Sequence, residues 1–153
     1  MRAFLRHSIL FALSAGLAAA QVSPERRQAI LDYPLTLARA NQLIPAMVAM
    51  SKYVTSLPDF EDRMRKAAKM TPAEGLAAVE NDPKAMAILK QNGLTAREYL
   101  IGVPALRMAL MAAQGINGPT IVASPANVAF AKANLAQLKP KMDAADGGGS
   151  AAK

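Results

Sequence analysis

An all-α, single-domain bundle of six or seven helices is what this sequence predicts, on three observations. Helix-start chemistry recurs at short intervals: Thr71-Pro72, Asp82-Pro83 and Ser124-Pro125 each set a capping side chain before a proline whose fixed φ suits the first helical position. Glycines stand where helices should stop, Gly93 after Lys90-Gln91-Asn92 and Gly115 after a long apolar run, both suited to the left-handed C-cap. No stretch alternates apolar and polar residues with period two for long enough to make a strand.

In chain order, a short helix is expected over Pro24–Asp32 and a long one over residues 36–56. A charged helix follows over residues 59–69. There Asp59, Glu61 and Asp62 complement the dipole at the N-terminus, and Glu61 with Arg65 and Asp62 with Lys66 form i,i+4 pairs, the pattern of a solvated face. Two short helices come next, Pro72–Glu80 and Pro83–Gln91. Thr71 with Glu74, and Thr95 with Glu98, have the spacing of a capping box.

The helix expected over residues 96–114 is apolar on nearly every side, with Tyr99, Val103, Leu106 and Leu110 on one stripe and Leu100, Pro104 and Met111 beside it. A helix hydrophobic all round is a buried one, so the others should wrap around it. Arg107 alone interrupts its inner part, too early for a membrane span. The last helix is expected from Pro125 to about Leu138.

Pro45 and Pro104 fall inside the two long helices, where proline removes a hydrogen bond and strands the carbonyl four residues back. Both helices are expected to kink there, the second loosened further by Gly102. Kinks can frame a pocket, which makes Pro45, Tyr99, Gly102, Val103 and Leu106 the candidate ligand-lining residues, with Tyr53 as a polar edge.

Residues 1–20 read as a cleaved secretory leader: Arg2 and Arg6 form a basic start, residues 9–17 an apolar run too short to span a bilayer, and Ala18-Ala19-Ala20 a small-residue cleavage site. Cleavage near Ala20 delivers a domain over residues 21–145 to the periplasm or medium, with no transmembrane segment left. Residues 146–153, DGGGSAAK, lack any large apolar anchor and read as a disordered tail.

Of 18 basic and 11 acidic residues, Arg2 and Arg6 leave with the leader, taking the formal charge from +7 to +5. His7, the single histidine, leaves too, and the chain has no cysteine and no tryptophan. Ser-His-Asp and Cys-His nucleophilic machinery is thereby excluded, as are His/Cys zinc sites and iron–sulfur clusters. Without cysteine there is no disulfide, so burial alone holds the fold. The basic residues have no interleaved aromatic platforms, which argues against nucleic acid as a partner.

Two further features carry chemistry. Met47 with Met50, and Met108 with Met111, are spaced three apart, so each pair shares a helix face; clustered thioethers are Cu(I) ligands, and methionine is equally a filler of irregular cores. Arg63, Arg65, Lys66 and Lys69 form a basic strip suited to an anionic surface or to plain solvation.

The stretch Gly93-Leu94-Thr95-Ala96-Arg97-Glu98-Tyr99, followed by Ser124-Pro125-Ala126-Asn127-Val128-Ala129-Phe130, resembles small exported bacterial helical proteins grouped without an assigned activity. That resemblance implies a free-standing exported helical domain and no catalytic residue. The expected function is a non-catalytic domain, without cofactor, that binds a protein partner or an apolar small molecule.

Overall fold

The computed structural model describes residues 23–146. The leader read over residues 1–20 lies outside the described residues, as do positions 147–153 of the tail. Seven helices and no strand make up the described residues: α1 Pro24–Asp32, α2 Leu37–Thr55, α3 Phe60–Ala67, α4 Pro72–Glu80, α5 Pro83–Gln91, α6 Ala96–Ala113 and α7 Pro125–Ala145.

Local chemistry sets most of these boundaries. The Ser23, Thr36 and Ser124 hydroxyls each accept an N–H three residues on, and Asp82 Oδ1 takes both Lys84 N and Ala85 N at 3.0 and 3.1 Å. Both capping boxes close, with the Glu74 and Glu98 carboxylates accepting from the backbone of Thr71 and Thr95 at 2.7 and 2.9 Å. At the other ends Gly93 and Gly115 adopt φ +68° and +82°. The N–H of Leu94 then returns to Leu89 O and that of Ile116 to Met111 O, satisfying carbonyls the helices leave free.

As its composition predicts, α6 is the axis of the bundle: α1, α2, α4, α5 and α7 all pack against it. Leu43 from α2, Leu89 from α5, Leu106 from α6 and Leu138 from α7 are fully buried in one continuous core. Buried Asn127 ties the α1–α2 connection to α7. Its amide donates to Tyr33 O at 2.8 Å, and its Oδ1 accepts from Leu35 N at 3.1 Å.

Each internal proline has a different fate. Instead of stopping near Leu138, α7 runs through Pro140 to Ala145. Proline inside a helix costs about 3 kcal/mol, but Met142 and Ala145 beyond it are buried on the core, and one methionine buried offsets about 1.5–3 kcal/mol. The salt bridge between Asp146 and Arg107 adds an anchor. Pro45 and Pro104 lie within α2 and α6 as single unbroken helices, Pro45 on the exposed side. The carbonyl that Pro104 strands is that of Leu100, and Arg26 Nη2 on α1 donates to it at 3.4 Å.

α3 is the exception to this packing. None of its residues is buried, and it makes no extensive contact with any other described helix.

Candidate functional site

Between α3 and the bundle lies a groove of about 430 Å³, bordered by α2, α4 and α6 as well. The sequence of α3 explains the space. Leu57 before it, Met64 on it and Met70 after it are half-covered without packing on the core, and Asp59, Arg63 and Lys66 also border the space. A volume of this size falls in the range that small-molecule sites occupy.

On α6, Tyr99, Val103 and Arg107 follow one another at i, i+4 and i+8, and Leu100 with Pro104 forms a second row. Met47, Met50 and Val54 come from α2, Met64 and Ala67 from α3, and Met70 from the turn after it. The walls are therefore mostly alkyl, aromatic and thioether; besides Ser51 and Lys66, the polar groups gather in two places.

At one of them the Tyr53 hydroxyl donates to Asp82 Oδ2 at 2.8 Å, while Asp82 Oδ1 caps α5. The Lys84 ammonium sits 4.9 Å from the centre of the Tyr53 ring, within cation–π reach. Arg63 Nε donates to both oxygens of Asp59 at 2.9 Å. Hydrogen bonding to Asp82 pushes the Tyr53 phenol up. Burial acts to raise Asp82, but the Ala85 N–H, the Tyr53 hydroxyl and the Lys84 N–H together hold it below the usual carboxylate range.

The second polar place is Arg107. Its Nη1 donates to Asp146 Oδ2 at 3.1 Å and its Nη2 to Oδ1, whereas its Nε is closed off from water without an acceptor among the described residues. An unsatisfied buried donor costs about 1–3 kcal/mol. Along the same face, burial pushes the Tyr99 phenol up to about 12, with the Arg107 charge pulling the other way.

Of the residues the sequence nominated, Tyr53, Tyr99 and Val103 line this groove. Leu106 is fully buried in the core instead, and Pro45 is exposed on the outer side of α2. Gly102 is buried where the bundle closes most tightly: a Cβ there would lie 2.8 Å from Tyr33 Cζ and 2.9 Å from Leu43 Cδ2. Of the two internal prolines, Pro104 lines the groove and Pro45 does not.

The methionines are regrouped in the same way. Met47 and Met50 line the groove, but their companions there are Met64 and Met70. Met108 and Met111 do not line it, and the Met108 sulfur accepts the Val122 N–H at 3.3 Å. Among the described residues no three of Asp, Glu, His and Cys gather to hold a metal ion. In the basic strip Arg63 and Lys66 reach the groove, while Arg65 pairs with Asp62; the apolar side of α3, with Met64 and Ala67, turns to the groove.

Met64, Met70 and Arg107 line the groove without having been singled out for it by the sequence. Arg107 is marked in the sequence as the one charge beyond the first turn of α6. A smaller hollow of about 240 Å³ lies beyond Leu100, between α1, α4 and α6, edged by Arg26 and Arg97.

No family model, no curated protein and no solved structure matches this chain. Its site is therefore read from its own geometry. Among the described residues, no helix is long and apolar enough to cross a membrane.

Proposed function

We propose that this chain is an exported, non-catalytic binding domain that holds an apolar small molecule in the groove beneath α3. The observation that carries the reading is a cavity of about 430 Å³ with mostly apolar walls under a helix that buries none of its own residues. Such a helix is a cover held chiefly by its flanking turns, and its amphipathic sequence gives it an apolar side to lay on a ligand. The ionisable groups around the groove support a binding role over acid–base catalysis, since its two carboxylates sit low and its two phenols high, away from neutral pH. Export rests on the leader read over residues 1–20.

Native mass spectrometry of the protein purified from its own host, before dialysis, tests this directly. The reading predicts an added organic mass in a one-to-one complex, and a bare mass that no apolar probe can increase contradicts it. A second reading, a Cu(I) carrier, is favoured by one observation: Met47, Met50, Met64 and Met70 share the groove. An added mass of one copper ion, lost when those four residues become leucine, would select it.

A further inference from the structure

The polar groups of the groove divide sharply by whether they are already engaged, and this says what a ligand must bring. Both carboxylates are spent: Asp59 accepts from Arg63 Nε with both oxygens, and Asp82 takes the Tyr53 hydroxyl on one oxygen and two backbone N–H groups on the other. What remains donates. The Lys66 ammonium has no ion-pair partner among the described residues. The Tyr99 hydroxyl likewise has no hydrogen bond among them, and Arg107, whose two Nη groups are held by Asp146, keeps Nε as a buried donor without an acceptor. Ser51 offers a hydroxyl that serves either way. Arg63 pairs with Asp59 and Arg107 with Asp146, so among these cations Lys66 is the one whose charge is not met by a carboxylate among the described residues.

A cavity whose unspent polar groups are donors, in walls otherwise of alkyl and thioether, fits a ligand that brings oxygen acceptors at one point and hydrocarbon elsewhere. The lining residues follow α6 from Tyr99 to Arg107, eight residues or about 12 Å of helix rise, so the space is laid out along a chain. We infer that the groove takes a single-chain amphiphile with an anionic head group, a long-chain carboxylate, its tail among Met47, Met50, Met64 and Val103 and its head against Arg107. This rests on the groove being a ligand site, and it goes further in naming the ligand's charge and shape.

The test is competition for the neutral fluorophore N-phenyl-1-naphthylamine by three ligands of one tail length, each below micelle-forming concentration: dodecanoate, dodecanol and dodecyltrimethylammonium. Dodecanoate is expected to bind at least about tenfold tighter than dodecanol, as one charge-assisted hydrogen bond provides, with the ammonium weakest. Arg107→Gln should cut that preference, read as the ratio of dodecanoate to dodecanol affinity in the same variant, to about threefold or less. Lys66→Gln, at an exposed position that the fold does not need, should reduce the preference by a smaller factor. Equal binding of dodecanoate and dodecanol, or preference for the ammonium, overturns the head-group inference and leaves the groove reading standing. No displacement by any of the three, or no binding of the fluorophore, overturns both.

Discussion

Arg26 donates from α1 to the carbonyl of Leu100, the one acceptor in α6 that Pro104 deprives of its helical partner. The pairing gives a buried guanidinium, whose pKa burial lowers, a use that needs no acidic neighbour. Because the bond exists to satisfy what proline leaves free, the two residues should be coupled. Arg26→Met is expected to cost about 1 kcal/mol more in the natural chain than in a Pro104→Ala background, where the helical N–H is restored. Urea unfolding of the four proteins in the cycle measures the coupling; additive losses would show that Arg26 serves Leu100 in no energetic sense.

Tyr33 lies over Gly102 with its hydroxyl buried and without a hydrogen bond among the described residues. A polar atom so placed opposes folding, so Tyr33→Phe should leave stability unchanged or raise it by up to about 1 kcal/mol. Gly102→Ala should lose about 1–3 kcal/mol despite the better helix propensity of alanine, because the fully buried Leu43 cannot retreat from the new methyl. Thermal unfolding of both variants checks the pair, and a marked loss in Tyr33→Phe would mean the hydroxyl has a partner.

Stability should also fall in mild acid. The Thr95 N–H and hydroxyl, with Arg39 3.0 Å away, hold the Glu98 carboxyl below its ordinary value of 4.5, and the Thr71 groups do the same for Glu74. A carboxyl depressed by folding lends its stability fully above the unfolded pKa and loses it as pH falls through the folded one. The urea midpoint should therefore be level from pH 7 to about 5.5 and drop below about 4.5. Glu98→Gln, which keeps the capping box, should flatten part of that drop.

How much of this was legible without coordinates follows from where the determining physics lies. Capping side chains, prolines at first positions and stop glycines act within a few residues, so α1, α4 and α5 begin and end where the sequence places them. α7 runs past the expected end near Leu138 because the burial of Met142 and Ala145, which carries it through Pro140, is a tertiary effect that no local signal announces. The site was half visible for the same reason. Tyr53, Tyr99 and Val103 were reachable from helix periodicity, but which face of α2 meets α3, and hence that Met47 and Met50 join Met64 and Met70, depends on how a helix with no buried residue is held by its turns.

That loosely held helix makes a dynamic prediction. With no buried residue and little contact to its neighbours, α3 should open locally while α6 stays closed, so its amides should exchange with solvent at least on the order of a hundredfold faster than those of residues 103–110. A bound ligand should slow α3 more than any other helix. Hydrogen exchange followed by mass spectrometry with and without dodecanoate reads both effects, and equal protection of α3 and α6 would remove the cover from the account.

The methionines report on the groove themselves. Eight of the nine lie in the described residues, and they divide evenly into Met47, Met50, Met64 and Met70 around the groove and Met86, Met108, Met111 and Met142 away from it. In a protein labelled with carbon-13 at the methionine methyls, titration with dodecanoate should shift the first four resonances on one saturating curve and leave the other four in place. Shifts spread over both sets, or confined to Met86, Met108, Met111 and Met142, would contradict a binding site beneath α3.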